Sequence, residues 1–504
     1  MKHFPCQTDK PVSFFCVFKI RMHVQVCIIG GGIAGLRVAE ILIENGEESL
    51  LLLESREQCG GRIKSRYDES EGLMYETGPW RIPSVHRRAI WLFHWHDIPL
   101  QPLLTPPVRK KTASSAHPGL SIYDLNLMKT SNPHKADRLD QETGYAGETE
   151  SDSSSVPYTL EDDDSSPKTS FLVAPGGFTS LVRAMEKRIG EDKILRDTRV
   201  ADVRRNLDGT YSVRCVRRHG EAKMRFDEYL IHAEEVFVCT PPHVAREWPS
   251  FAPSMKTFLS RVEAGCLHHV YMKGDPVPGQ KIHEINANSP LVQTISDQYE
   301  SGWFQASYSG GRIARFWHHL RMTDPVLFLR FITRCVRSSF PRARLVRGGK
   351  LAPESPDPSD VVTSHFWEGA YHAWRPVPFF DVDKAVLSSV HPNPVIHPNL
   401  FWAGEAFSSH QAWIEGALQT ASLATQAHMK GGVKDFPHRK KKEGEMVAEG
   451  RILDISLWKE RHPGGGQALV NHLKEKDICR TMTHIGHSDN AWATISSLQI
   501  AWED

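Results

Sequence analysis

The sequence predicts an α/β protein organised around a dinucleotide-binding fold, and three stretches within residues 26–62 indicate it. The apolar run Val26–Ile29 has the composition of a buried parallel strand. It enters Gly30-Gly31-Gly32-Ile33-Ala34-Gly35, a GxGxxG loop, and apolar residues then recur at helical spacing. A second apolar run, Leu50–Leu53, ends at Glu54. Strand, glycine loop, helix, strand and terminal acid therefore follow the order of a Rossmann-type fold.

Each part of this segment has a reason to bind a dinucleotide. The glycines allow a tight turn and close approach of the backbone, and the N-terminus of the following helix faces the pyrophosphate. The acid, Glu54, is placed to bind the ribose hydroxyls. NAD and FAD both fit this pattern. The residues expected at the cofactor are Gly30, Gly32, Ile33, Ala34 and Gly35.

Composition limits the class of protein. A chain of 504 residues should hold two or three domains, and 40% hydrophobic with 24% charged residues is typical of a soluble globular protein. A net charge of +1 gives no reason to expect nucleic acid or a membrane as a partner. Nine cysteines without CxxC pairing predict reduced thiols and a cytoplasmic location. No apolar run approaches the roughly 18 residues needed to span a bilayer.

Changes in composition divide the chain into segments. Acidic and serine-rich tracts at 148–155 and 161–166 predict a mobile surface loop, because such sequences bury too little apolar surface to order themselves. Paired prolines at Pro241-Pro242 end a strand before a less regular block. We predict an N-terminal extension (1–21), a dinucleotide domain in three parts (22–98, 171–243 and 395–430), an irregular acidic insertion (99–170), an α+β substrate domain (244–394), a linker (431–446) and a C-terminal module (447–504).

Within the substrate domain the pattern predicts strands at Leu267–Met272 and Arg312–Trp317, and an amphipathic helix at Pro325–Phe340. Further on, the run from Asn399 to Glu405 repeats the sequence of an apolar strand followed by a glycine. A helix is predicted after it.

Two separated motifs resemble those of the flavin-containing amine oxidase family, which includes monoamine and polyamine oxidases. One comprises the glycine loop, Glu54 and Gly60-Gly61-Arg62, and the other comprises Ala403-Gly404-Glu405 and Trp413-Ile414-Glu415-Gly416-Ala417. The resemblance spans about residues 24–428 and implies that FAD is held from both ends of the chain. In the family, residues matching Gly60, Gly61 and Arg62 lie beside the FAD. The acid matching Glu405 contacts the pyrophosphate or ribityl side, and the small residues matching Gly416 and Ala417 let a helix N-terminus approach the flavin.

The resemblance also implies a substrate site. Family members orient a neutral amine beside the flavin with two aromatic side chains, and the match places Trp413 and Tyr371 at these positions. Ala370 stands where covalent-flavin members have a cysteine, which implies non-covalent FAD. His269 occupies the place of a lysine that holds a water near flavin N5. A histidine there could hold a water, or it could be a strand residue without a catalytic role.

The C-terminal module resembles cytochrome b5 through His462-Pro463-Gly464-Gly465 and Ile485-Gly486-His487-Ser488. The resemblance implies that His462 and His487 are the axial ligands of haem b. The module is shorter than its family, so a haem-free remnant is the alternative.

These features together predict an enzyme that oxidises an amine or a related small molecule by hydride transfer to flavin N5. Reoxidation would be by oxygen or through the haem module. Two alternatives remain open: an FAD-dependent desaturase or isomerase of the carotenoid or protoporphyrinogen type, and a non-catalytic flavin or haem binding protein.

Overall fold

The computed structural model describes residues 20–68, 72–103, 170–219, 225–276, 285–286, 294–296, 302–345, 362–375, 382–392, 394, 397–429, 441–448, 451–453, 455, 466–473, 478 and 499–502. The predicted acidic tracts and both predicted haem ligands, His462 and His487, lie outside these residues. The strands are β1 Ile20–Ile29, β2 Leu50–Leu53, β3 Ser65–Asp68, β4 Gly72–Glu76, β5 Ile82–Pro83, β6 Gln101–Pro102, β7 Phe171–Val173, β8 Ile194–Leu195, β9 Thr198–Arg205, β10 Tyr211–His219, β11 Arg225–Val238, β12 Val262–Asp275, β13 Ile285–Asn286, β14 Thr294–Ser296, β15 Trp303–Gly310, β16 Arg344–Leu345, β17 Val362–Trp374, β18 Leu400–Trp402, β19 Met446–Ala448, β20 Arg451–Leu453 and β21 Gln499–Trp502. The helices are α1 Ile33–Glu44, α2 Arg87–Trp95, α3 Thr179–Ile189, α4 Pro242–Ala245, α5 Pro253–Leu259, α6 Gly311–Thr323, α7 Pro325–Ser339, α8 Val382–Val390, α9 Ile414–Met429 and α10 Gly466–His472.

The larger sheet has the order β8-β2-β1-β11-β10-β9, with β18 also paired to β11. Strands β2, β1, β11 and β18 run parallel, with Ile29 opposite Leu53 and Val238, and Val238 opposite Trp402. The carboxyl ends of these four strands therefore lie along one edge of the sheet. Ligands of open α/β sheets bind at this edge. The register thus brings the loop after β1 and the segment after β18 to the same place.

The strands of this sheet are buried on both faces, as their continuous apolar runs predict. Val26 and Ile28 point towards α1, α3 and α9, whereas Cys27 and Ile29 point towards a cluster containing Trp248. Full burial of each such aliphatic side chain stabilises the fold by about 1.5–3 kcal/mol. The core therefore holds the edge of the sheet in place from both sides.

The smaller sheet has the order β13-β14-β15-β12-β16, with β17 paired to β12. Alternation along β12 directs Val270 and Met272 towards α6 and α7, where they form a core with Trp317. The other face carries His269 and Tyr271, which hydrogen-bond with a side chain of β15. This sheet therefore separates an apolar core from a polar face.

Two predictions in this domain had opposite outcomes. The helix predicted at 325–340 is confirmed as α7. The strand predicted at Arg312–Trp317 is wrong, because these residues lie in α6. Ile313, Ala314 and Trp317 are the buried positions, a spacing of three to four residues that fits a helix and not a strand.

The C-terminal module contains an antiparallel sheet of order β19-β20-β21. Ile452, Ile455 and Ile478 are buried there, and α10 begins directly after the His462-Pro463-Gly464-Gly465 motif. In the described part of the chain, every helix is too short or too polar to cross a membrane.

Candidate active site

The loop after β1 is packed so closely that two of its glycines have no room for a side chain. A Cβ at Gly35 would lie 2.0 Å from the carbonyl oxygen of Gly30, and one at Gly30 would lie 2.8 Å from that of Cys239. Gly30 also has φ +110°, which favours glycine. Gly32 differs, because a Cβ there would meet nothing within 4 Å. The open space over Gly32 fits a bound pyrophosphate, whereas Gly30 and Gly35 are needed for the packing of α1.

The N-terminus of α1 lies at this open space. Its N-cap residue is Gly32, which has no side chain to occupy the free N–H groups of the first turn. Ile33 and Ala34 are buried, so their side chains belong to the core and only their backbone N–H groups are available to an anion. These residues therefore fit the predicted pyrophosphate site through their backbone N–H groups alone.

Glu54 lies at the end of β2 and is buried beside the loop. Its Oε2 accepts a hydrogen bond from the N–H of Gly31 at 2.8 Å, and its Oε1 accepts one from the N–H of Arg56 at 2.9 Å. The structure therefore brings the predicted ribose-binding acid against the glycine loop. Glu54 therefore occupies the position at the end of the second strand where a dinucleotide-binding fold has an acid.

The second glycine pair lies against the first. The N–H of Gly60 donates to the carbonyl of Gly31 at 2.7 Å, and a Cβ at Gly61 would lie 3.2 Å from Cα of Gly32. Both Gly60 and Gly61 have positive φ, at +107° and +59°. The two glycine motifs therefore lie in direct contact.

An ion pair joins the two ends of the chain at this site. Nη1 of Arg62 lies 2.6 Å from Oε1 of Glu405, and the same nitrogen donates to the carbonyl of Ala370 at 2.9 Å. Glu405 is almost fully buried, and its Oε2 accepts a hydrogen bond from the N–H of Ala412 at 2.9 Å. The two motifs named in the resemblance therefore meet through their charged residues.

His372 completes the environment of Glu405. Its Nδ1 lies 2.6 Å from Oε1 of the carboxylate, and its ring stacks at 6.1 Å on that of His243. Burial acts to raise the pKa of Glu405, but the Arg62 guanidinium and His372 outweigh it, so the pKa lies well below its ordinary value. Glu405 is therefore a carboxylate at every physiological pH.

Gly416 and Ala417 lie in the first turn of α9, where the structure adds a second reason for small residues. A Cβ at Gly416 would lie 2.1 Å from Oγ of Ser408. Gly416 is thus required by contact with the chain itself. The neighbouring Glu415 is buried and accepts hydrogen bonds from the N–H of Ala89 at 2.9 Å and from Nη1 of Arg88 at 2.8 Å, which fixes α9 to the start of α2.

The two predicted aromatic residues occupy different elements. Trp413 directly precedes α9 and contacts His86 edge-on at 5.0 Å between ring centroids. Tyr371 lies on β17 opposite Gly265 of β12, and a Cβ at Gly265 would lie 2.2 Å from Cζ of the Tyr371 ring. Gly265 therefore makes room for this ring. Both aromatic side chains are partly exposed, so both have surface available to a substrate.

His269 is buried on the polar face of the smaller sheet. Its Nδ1 lies 3.1 Å from Nε2 of Gln305 and 3.3 Å from the hydroxyl of Tyr271, and its ring meets Tyr308 edge-on at 4.8 Å. Burial, together with the nearby His365, lowers the pKa of His269 to about 3. The ring is therefore neutral. Since the Gln305 amide donates to Nδ1, the ring proton is placed on Nε2 by this hydrogen bond.

Glu76 is a further buried acid, and it was not among the predicted site residues. Its carboxylate accepts hydrogen bonds from Oγ of Ser65 at 2.8 Å and from the N–H of Phe178 at 2.7 Å, next to the start of α3. Burial raises the pKa of Glu76 from 4.5 to about 7, although both hydrogen bonds act to lower it. The protonated form therefore predominates below neutral pH.

This shift predicts a pH-dependent stability. Because the folded-state pKa is raised, Glu76 stabilises the fold most below pH 4.5, and this contribution is lost as the pH rises through about 7. Glu76→Gln should remove the dependence. The difference in unfolding free energy between wild type and variant should change by about 3 kcal/mol over that range, as measured by urea unfolding at several pH values. A constant difference would contradict the assignment.

The chain is similar to known proteins over most of its length. Residues 33–117 and 117–427 match the family model of the flavin-containing amine oxidoreductases, which covers most of the chain. The chain belongs to the flavin-containing amine oxidoreductase family. Membership confirms the predicted family and implies an oxidoreductase with a flavin cofactor. The family match ends before the C-terminal module.

Individual relatives of this family member are distant. The structure of wild-type putrescine oxidase bound to putrescine aligns with a TM-score of 0.54 and 12% identity, over 82% of this chain and 100% of that chain. A triple mutant from a redesign of cofactor binding in putrescine oxidase gives 0.55 and 13% over the same shares. These likenesses establish the fold alone. L-amino acid oxidases of Cerastes cerastes and Bothrops pictus are 40% identical over 63 residues, which is 12% of this chain and 12% of each relative.

Sequence reasoning missed several residues of the site of this flavin-containing oxidoreductase. His372, Gln305 and Glu76 each act through a partner on another strand or helix. For Glu76 a usable indication existed, because the acid ends an apolar strand before Thr77-Gly78-Pro79. Nothing in the sequence indicated His372 or Gln305, since their partners depend on the register of strands far apart in sequence.

Proposed function

We propose that this chain oxidises an amine by hydride transfer to N5 of a non-covalently bound FAD. The observation that carries the cofactor assignment is the Arg62–Glu405 ion pair, which joins the two glycine motifs to the C-terminal motif at one edge of the sheet. Bound FAD would supply the hydride acceptor. The chain's own residues would position the substrate and exclude water.

The cofactor would lie along residues that have room for it. Gly32 and Gly404 both face open space, and the carboxylate of Glu54 is held at the end of β2. Ala370 has no sulfur with which to bond a flavin, which supports non-covalent binding. Arg62 would keep its guanidinium at the cofactor because Nη1 donates both to Glu405 and to the carbonyl of Ala370.

The substrate would be a neutral amine or a related small molecule. Trp413 and Tyr371 offer partly exposed aromatic faces. His269 would contribute its Nε2–H as a donor to a water or to the substrate, because Gln305 occupies Nδ1 and burial keeps the ring uncharged. Because the imidazole is neutral, His269 would act as a hydrogen-bond donor and would not supply the positive charge of the lysine found in the family.

Haem b, bound by His462 and His487, is the second part of the proposal, with oxygen as the alternative acceptor. Two observations support a folded C-terminal module: α10 starts at Gly466, directly after the His462-Pro463-Gly464-Gly465 motif in sequence, and Ile455 is buried. Haem would supply a one-electron acceptor for the reduced enzyme.

An absorbance spectrum of the purified full-length chain, followed by anaerobic mixing with amines, tests the function. We expect flavin bands that bleach with at least one member of a panel of aliphatic monoamines, diamines, aromatic amines and L-amino acids. Bound flavin that no amine reduces would contradict amine oxidation and favour the desaturase, isomerase or carrier alternatives. If the full-length chain shows no Soret band, either as purified or after haem is added, the proposal that the C-terminal module binds haem is excluded.

A further inference from the structure

The outer surface of α6 and α7 has an unusual composition for a chain whose net charge is only +1. Residues 311–345 contain eight arginines and a single acidic residue, Asp324. Asp324 caps α7 by accepting a hydrogen bond from the N–H of Leu327 at 2.8 Å. The net charge of +1 for the whole chain therefore conceals a strongly basic local surface.

The exposed residues of both helices follow single outward stripes. On α6 these include Arg312, Arg315, Phe316 and Met322, and on α7 the exposed positions recur every three to four residues. We call this surface the arginine face. Its exposed members are Arg312, Arg315, Phe316, Met322, Val326, Leu327, Arg330, Phe331, Arg334 and Arg337.

The arginine face carries large apolar side chains as well as charge. Met322 is 71% exposed, Val326 is 44% exposed, and Phe316 and Phe331 are 40% and 39% exposed. Single exposed apolar residues are common on protein surfaces, but five on two consecutive helices form a group that needs an explanation. None of them takes part in the core, because the opposite sides of both helices supply it.

The inner sides of the helices hold this face rigidly. Trp317 and Phe328 are fully buried and pack edge-on at 5.6 Å, and Ile332 joins them against β12 and β15. The helices therefore need no outer partner in order to fold. A partner that binds the outer side would therefore be recognised by its negative charge and by its affinity for apolar side chains.

We propose that the arginine face binds the surface of a membrane rich in anionic lipids, with both helices lying in the plane of the interface. Basic residues mixed with Phe, Leu and Met on one side of a helix are typical of interfacial helices. The arginines would pair with lipid phosphates and carboxylates, and the apolar side chains would enter the boundary of the acyl chains. A polyanion such as a nucleic acid would use the arginines but leave the exposed phenylalanine, methionine, valine and leucine side chains without a function.

Binding of this kind is compatible with the absence of a spanning helix among the described residues. It also leaves the edge of the larger sheet free, because the arginine face lies on the opposite side of the smaller sheet from His269 and Tyr271. The proposal is therefore independent of the reaction that the enzyme catalyses.

Co-sedimentation of the purified full-length chain with vesicles tests the proposal. We expect binding to vesicles of equal parts phosphatidylcholine and phosphatidylserine, weak binding to phosphatidylcholine alone, and a decrease in high salt. Arg330→Glu with Arg334→Glu should lower binding by at least about tenfold. Phe316→Ser with Phe331→Ser should lower it as well, because the apolar contribution is lost.

Matched controls separate this effect from total charge and from misfolding. Arg199→Glu with Arg204→Glu makes the same change of charge on exposed positions of β9 and should leave binding unchanged. Circular dichroism and flavin absorbance verify the fold of each variant. The proposal is overturned if the wild-type chain does not sediment with the anionic vesicles, or if the β9 variant loses as much binding. It is overturned too if the serine variant binds as wild type does, or if heparin is bound and vesicles are not, since either result indicates a soluble polyanion.

Discussion

Replacing Gly35 with alanine is expected to abolish FAD binding and to destabilise the fold. The new Cβ would lie 2.0 Å from the carbonyl oxygen of Gly30, far inside the contact distance, and that oxygen belongs to the backbone and cannot turn away. Helix α1 would have to move from β1, opening a core in which Leu36 and Val38 are fully buried. We expect a loss of stability of about 3 kcal/mol or more, at the upper end of single substitutions.

Gly32→Ala is the matched control for this result. Its Cβ would meet no protein atom within 4 Å, so the melting temperature should remain close to that of wild type. The flavin content should nevertheless fall, because the methyl group would occupy the space that we assign to the pyrophosphate. Flavin absorbance per chain and differential scanning calorimetry distinguish the two effects. If Gly32→Ala retained its full flavin content, the assigned position of the cofactor would be wrong.

The second large effect is expected from breaking the Arg62–Glu405 pair. Arg62→Ala would leave the carboxylate of Glu405 buried with His372 and the Ala412 N–H as its remaining partners. Removing one partner of a fully buried ion pair costs about 3–5 kcal/mol, and the cost here should lie at or below the lower end of that range because the Arg62 side chain is 30% exposed. We therefore expect Arg62→Ala to lose both flavin and stability.

Glu405→Gln should be milder for stability, since Arg62 is 30% exposed at its side chain and retains its bond to the Ala370 carbonyl. In the double variant the loss of stability should be less than the sum of the two single losses, because removing both members of the pair leaves neither charge unpaired. Chemical denaturation of the four proteins measures this coupling. Additive costs would show that the pair does not act as a unit.

The N-terminal half of the site could be predicted because its parts are contiguous. Gly30, Gly35 and Glu54 are separated by one helix and one strand, so spacing alone fixes their relation. Arg62 and Glu405 were linked only through resemblance to a family. Their contact depends on the parallel pairing of β18 with β11, which no local pattern reveals.

Other features depended on structure that the sequence pattern does not determine. Arg312–Trp317 contains residues that favour strands, such as Ile313 and Trp317, yet the burial of Ile313, Ala314 and Trp317 on one side selects a helix. His269 could be placed on a strand, but its neutral state follows from burial and from the nearby His365, and its tautomer from Gln305 across the sheet. The haem ligands His462 and His487 remain predictions.

The pairing of β18 with β11 has a consequence for synthesis of the protein. Arg62 and Glu405 are separated by 343 residues, so Arg62 leaves the ribosome roughly 20–70 s before its partner at ordinary elongation rates. The glycine loop can form early with β2, but the strand that brings Glu405 to it is made only after the substrate domain. Loading of the flavin therefore has to wait for β18, and until β18 has been made the half-built site is exposed to chaperones.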